Sequence, residues 1–237
     1  MFSQGMSVSR KIGRVSRMAS LVLAWCLALA CLHNAVGQAA SSVSVGGMAA
    51  QIIFQMDFPG QITPHYKITL AEDGRGTYEA GADEGDARQP VAFSIGAKDA
   101  AAWFLLAREL KYFRGEFAAN RKVAFTGTKS FRYVGADADG QTSFTYTENK
   151  KLEELTGHAQ ALALTLQLGQ ALLADRRFNR MAVDQDMVGL KQALRSHTAA
   201  YPQAIAPVLA ALVDDEKVVA PVRRDASAIL QAVGTVN

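Results

Sequence analysis

Tyr66-Lys67-Ile68-Thr69-Leu70-Ala71-Glu72-Asp73-Gly74-Arg75-Gly76-Thr77-Tyr78-Glu79-Ala80 is the stretch whose reading decides the fold. Tyr66, Ile68 and Leu70 alternate with Lys67 and Thr69, the two-residue period of a strand with one dry face and one wet face. Glu72 to Gly76 offers the Asp and Gly residues that accept positive φ in a tight turn, and Thr77 to Ala80 runs back. The segment is therefore expected to be an antiparallel hairpin.

Outward from it the same signals recur. Gln51 to Phe58 is rich in Ile and Phe and reads as a strand, closed by the turn signal Phe58-Pro59-Gly60-Gln61. Residues 81–89 are acidic and Gly-rich and read as an exposed loop; Val91 to Ile95 restores alternation. Lys98 to Phe113 carries Trp103, Leu106, Leu110 and Phe113 at three- and four-residue spacing, which predicts a helix ended by Gly115. After an irregular run from Glu116 to Gly127, Ser130–Val134 and Thr142–Tyr146 read as a second hairpin joined by Asp137-Ala138-Asp139-Gly140. A long helix begins near Asn149, with one apolar stripe of Leu152, Leu155, Ala159, Leu162, Leu166 and Leu173 and a second of Leu164, Leu168 and Leu172. So broad an arc predicts burial against both the sheet and other helices. Hairpins joined through helices favour antiparallel pairing. The expected class is α+β: an antiparallel sheet of hairpins with two helices on one face, followed by a small C-terminal helical unit.

From Asp184 the pattern is wholly helical. Asp184 is the expected cap of a helix bearing Met187, Val188, Leu190, Ala193 and Leu194; Tyr201-Pro202 breaks it; Ala204–Val213 and Val218–Val233 form two more. Leu209-Ala210-Ala211-Leu212-Val213-Asp214-Asp215-Glu216 followed by Val222-Arg223-Arg224-Asp225-Ala226 gives a leucine-rich helix, an acidic turn, then Val-Arg and a small residue opening the next helix. In this, residues 209–230 resemble the second half of one HEAT-type repeat and the start of the next. That likeness implies stacked helical hairpins, which in HEAT arrays take several units to bury a continuous core. A short helical cap accounts for the same residues.

The N-terminal end carries a different message. Arg10, Lys11, Arg14 and Arg17 precede the apolar run Leu21 to Leu32, and small residues follow in Ala35-Val36-Gly37-Gln38-Ala39-Ala40. This is the layout of a secretory signal peptide over residues 1–39, with cleavage expected after Ala39 and a cut after Gly37 as the alternative. The run is short for a membrane span. Ala28-Leu29-Ala30-Cys31 is close to a lipid-attachment site, with Leu and the small residue in reversed order; Ser9-Arg10-Lys11 lacks the second Arg of a twin-arginine signal. The whole chain has 25 basic and 22 acidic residues; removal of the four basic ones in the signal leaves 21 against 22, a formal charge of −1 rather than +3. The pI near 8.9 therefore belongs to the signal, and no basic block remains to argue for nucleic acid or an anionic membrane surface. Both cysteines, Cys26 and Cys31, also precede residue 40, so the processed body has no thiolate for catalysis, metal or disulfide. The expected organisation is signal peptide 1–39, flexible lead-in 40–48, α+β domain 49–178 and helical unit 179–237.

Motifs for chemistry are sparse. Gly127-Thr128-Lys129-Ser130 is similar to the end of a phosphate-binding loop, but Thr128 separates Gly127 from Lys129 and the segment leads into a strand rather than a helix. Gly74-Arg75-Gly76 sits in a hairpin turn. Asp137-Ala138-Asp139-Gly140 lacks the distal Glu of a calcium loop. His65, His158 and His197 are at no metal spacing and read as surface or capping residues. No Gly-x-Ser-x-Gly elbow is present. Asp83, Glu84 and Asp86, and again Asp214, Asp215 and Glu216, read as solvated runs rather than paired catalytic acids. Tyr112, Phe113 and Phe117 around a helix end, with Phe125 beyond, form the candidate patch for a ligand or partner; the competing reading has them plugging the sheet edge. The function expected is an exported, non-catalytic periplasmic or secreted binding protein. It needs no cofactor or metal, and its partner is another envelope protein or a small ligand. The alternatives are a periplasmic hydrolase with scattered Ser, His and Asp residues and His65 or His158 as base, and a structural envelope component tethered through Cys31.

Overall fold

The computed structural model describes residues 49–82 and 89–234. The expected signal peptide and lead-in, with Cys31, and most of the acidic loop lie outside the described residues. Six strands form one antiparallel sheet: β1 (Gln51–Asp57), β2 (His65–Ala71), β3 (Arg75–Gly81), β4 (Val91–Ser94), β5 (Thr128–Val134) and β6 (Asp139–Phe144), in the order β4-β3-β2-β1-β5-β6. Helix α1 (Ala97–Glu109) follows β4. After β6 come α2 (Lys150–Phe178), α3 (Ala182–Arg195), α4 (Ala206–Val213) and α5 (Ala220–Gly234). The α+β reading holds.

Register explains which side is dry. Phe54 faces Ile68 on β2 and Phe131 on β5; Ile52 faces Leu70 and Tyr133; Ile68 faces Tyr78. Because side chains alternate, all of these share one face, and all are buried. Helices α1 and α2 cover that face. Trp103 is fully buried, and the Gln167 Nε2 amide donates to the Tyr78 hydroxyl at 3.0 Å, tying α2 to the sheet. The opposite face is polar, with Lys67 paired to Glu79 directly across β2 and β3 at 2.9 Å.

The turns differ in detail from the sequence expectation. The first hairpin turns at Glu72-Asp73-Gly74, and Arg75 already belongs to β3. Gly74 has φ +83, and a Cβ there would stand 2.5 Å from the Gly96 backbone, so both space and conformation demand glycine. In the second hairpin the turn is 135–138, closed by the Gly135 N–H to the Ala138 carbonyl at 2.9 Å; Asp139 and Gly140 open β6, and Thr145 and Tyr146 lie beyond its end. The predicted helix to Phe113 stops at Glu109. Lys111, Tyr112 and Phe113 then take left-handed φ values of 54°, 57° and 65°. That backbone costs about 1–2 kcal/mol per residue, and what it gains is the Phe113 ring stacked on Phe131 with centroids 5.2 Å apart.

Helix α2 is capped as expected: the Asn149 side chain accepts from the Lys151 and Leu152 N–H groups at 3.1 and 3.2 Å. Leu152, Leu155, Ala159, Leu162 and Leu166 are buried, whereas Leu173 is 39% exposed. The second contact strip of α2 is not Leu164 and Leu168, which are only half-buried, but Thr165 and Gly169, with Leu172 beneath. Thr165 Oγ1 donates to the Ala200 carbonyl at 2.5 Å, and a Cβ on Gly169 would stand 2.5 Å from Ile205 Cγ2. Small residues let the C-terminal segment lie closer than leucines would allow. At the start of α3 the structure corrects the capping expectation: Asp184 lies inside the first turn, and Met181 occupies the cap position with no side-chain bond. A single hydrophobic cluster runs from Ile52 through Leu162 to Leu209 and Ala226, so the core is continuous across residue 178. Among the described residues no helix is long and apolar enough to cross a membrane.

Candidate functional site

Each histidine named from the sequence has a defined setting. His65 is not a surface residue: it is 4% exposed, and its Nδ1 lies 2.5 Å from Asp57 Oδ1, its direct cross-strand neighbour. His158 Nδ1 bonds the Tyr201 hydroxyl at 2.8 Å, and that hydroxyl also accepts from Trp103 Nε1 at 3.0 Å. Burial raises the Tyr201 phenol above its ordinary pKa, partly offset by the Trp103 bond. Tyr201 holds left-handed φ 61°; it begins the segment that Gln203 pins through its Nε2 to the Ile95 carbonyl (2.8 Å) and Asp99 (2.7 Å). The Trp103–Tyr201–His158 string is a clasp between α1, α2 and the C-terminal segment. His197 is exposed just past α3, with φ 58°. Among the described residues, these rings meet the Asp57 and Glu154 carboxylates and the Tyr201 phenol but no serine hydroxyl.

The Lys129 amine is likewise used inside the fold. It is 6% exposed and donates to the Thr126 carbonyl and hydroxyl and the Thr145 carbonyl at 3.0 Å, and to the Gly127 carbonyl at 3.2 Å. Burial lowers its pKa. These bonds tie the 126–127 loop to the end of β6, leaving no amine free for a phosphate. Among the described residues no three His, Cys, Asp or Glu side chains gather as a metal site requires.

The aromatic patch expected from sequence is not assembled as one surface. Phe113 is fully buried against Phe131, and Tyr112 lies on Tyr133 with centroids 4.7 Å apart. Phe125 is 56% exposed and packs edge-on against Phe58 at 5.8 Å. Phe117 is half-buried and lines a hollow of about 660 Å³ with residues of the 116–121 loop, Glu148 and Asn149. Phe117 and Phe125 reach solvent; Phe113 does not.

A more exposed surface lies at the corner between α2 and α3, where the sequence carries no recognised motif. The run Arg176-Arg177-Phe178-Asn179-Arg180-Met181 contains three cations, no acid and two large apolar residues. Arginines in the last turn of α2 complement its carbonyl-rich end. The helix stops at Asn179, whose N–H bonds the Asp175 carbonyl at 2.8 Å, and Ala182 N–H bonds the Asn179 carbonyl at 2.9 Å, so three residues reverse the chain. That sharp reversal leaves Phe178 84% and Met181 90% exposed. Beside them Leu173, Arg176, Arg177, Arg180 and Asp215 line a hollow of about 510 Å³. Arg176 Nε donates to Asp215 Oδ2 at 2.8 Å, which, together with the Lys217 backbone N–H, holds the Asp215 carboxyl below its usual range. Among the described residues the ion pairs engage Arg176 but neither Arg177 nor Arg180. The corner thus joins uncommitted positive charge to apolar side chains in water. No protein-family model matches the chain, and no curated protein is detectably similar to it in sequence.

Proposed function

We propose that this chain is an exported protein of the bacterial periplasm or exterior that works by binding rather than by catalysis, with the α2–α3 corner as its contact surface. The observation that carries this reading is the pair Phe178 and Met181, 84% and 90% exposed beside three arginines. Isolated exposed apolar residues are ordinary, but two large ones on a reversal with unpaired cations are costly to leave in water without use. The α4–α5 pair, the part that resembles a HEAT-type hairpin, buttresses the corner through Asp215. Export is supported by the basic, apolar and small-residue order of residues 10–40.

The test is a photo-crosslinking residue placed at position 178 in cells, with a control at Ser143 on the bare sheet face. A discrete adduct, to protein or to lipid, at 178 and none at 143 is expected; identical blank patterns would overturn the contact reading. Mass spectrometry of the same material should begin the chain at Ala40.

One observation favours a second reading, a hydrolase. The His65–Asp57 contact has the geometry by which a carboxylate orients an imidazole base. If that reading holds, purified protein cleaves an activated ester such as p-nitrophenyl acetate above background, and H65N abolishes it.

A further inference from the structure

We propose that the α2–α3 corner docks on an anionic lipid bilayer, with Phe178 and Met181 entering the headgroup–acyl boundary and Arg177 and Arg180 meeting lipid phosphates. The inference rests on the reading of this corner as the contact surface and names its partner. Three features select a bilayer over a protein. The first is exposure: Phe178 closes α2 and Met181 caps α3, and both side chains stand almost wholly in water, where a fluid surface can close around them. The second is extent. Stable protein interfaces bury about 800 Å² per partner around a packed centre; two side chains on a tip fall far below this, yet shallow insertion of a few apolar groups is how interfacial segments bind membranes. The third is charge. The hollow is walled by three arginines and one aspartate, leaving two cations in excess beside the apolar tip. Their aliphatic stems can lie along the interface while the guanidinium heads stay with phosphate.

Asp215 limits this charge but does not cancel it: its bond is to Arg176, and it attracts Arg180 only at longer range. Arg176 therefore belongs to the scaffold, and Arg177 and Arg180 are the binding cations. Asp214 and Glu216 are exposed on the same α4–α5 turn as Asp215, so attraction is confined to the tip and binding is weak and salt-sensitive.

The test is vesicle flotation with the protein as the host processes it. Equal parts phosphatidylglycerol and phosphatidylcholine are compared with phosphatidylcholine alone. A cation near an anionic surface is worth a factor of about five, so the R177Q/R180Q double variant should bind about thirtyfold more weakly. F178S/M181S should lose about tenfold or more from the apolar part. Both sets of residues are exposed, and an unchanged thermal midpoint will show that the fold survives. An F178W variant should show a blue-shifted fluorescence on phosphatidylglycerol vesicles and none on phosphatidylcholine. Equal binding by wild type and both variants would assign any lipid affinity to another part of the chain and overturn the inference. So would binding that ignores lipid charge. A protein adduct at position 178 together with no flotation would overturn the bilayer while leaving the corner as a contact surface; no adduct and no flotation would remove both.

Discussion

At the scale of single residues, two ionisable groups, one partly buried and one buried, show how local surroundings redirect chemistry. Asp186 on α3 meets Asp175 on α2, and its Oδ2 is buried with no donor among the described residues. Two carboxyl groups at hydrogen-bond distance satisfy one another only when one keeps a proton. Burial, then the Asp175 hydrogen bond and charge, raise the Asp186 pKa to about 6. A carboxyl raised in the folded state binds its proton more tightly there than when unfolded. Its contribution is therefore present at low pH and is lost as pH rises through about 6. Asn at this position keeps a donor for Asp175 without the charge. D186N is expected to be more stable than wild type at about pH 8, with that advantage shrinking as pH falls from about 6 and gone only below the unfolded value of 3.8, as read by thermal midpoints. Lys129 makes the complementary case, since its ammonium serves three carbonyls and a hydroxyl. K129M keeps the stem but strands those acceptors, and a loss of about 1–3 kcal/mol in denaturant unfolding is the expected result.

At the scale of elements, periodicity carries far and stops where the backbone is strained. The N-cap of α2 was legible because Asn149 precedes a leucine-periodic run. N149A should cost about 1 kcal/mol, with a matching drop in the urea midpoint and no change in slope. The end of α1 was not legible. Leu110 and Phe113 continue the helical spacing, yet Lys111 to Phe113 turn left-handed so that Phe113 reaches Phe131, a partner 18 positions later. Local propensity has no access to such a contact. The strip on α2 failed for a related reason: Thr165 and Gly169 score poorly as core, and they are buried because the 199–205 segment needs a close approach.

At the scale of the molecule, the boundary placed near residue 178 separates helices that share one core. Ile205 packs against Gly169, Gln203 bonds Ile95 and Asp99, and the Tyr201 hydroxyl bridges Trp103 and His158. A chain ending after Asn179 would uncover this side of α2. Such a truncation is expected to be aggregated or molten, lacking the near-ultraviolet signal of Trp103; a soluble product with a cooperative transition would show instead that residues 49–178 stand alone. The candidate surface was half-visible in the same way. Three arginines, a phenylalanine and a methionine stand together in sequence, but nothing in their order says that the chain reverses there and turns Phe178 and Met181 outward.

What the amino-acid order determined by itself was the set of strands, the antiparallel class and most helix starts, because alternation, turn residues and caps act over a few neighbours. The absence of cysteine after residue 31 likewise needs no fold. Tertiary structure alone decided that His65 is buried beside Asp57, that Lys129 is spent on loop carbonyls, and that Phe113 is core while Phe178 is surface. Each of these depends on which distant segment arrives, and burial is a property of the packed whole rather than of the residue that undergoes it.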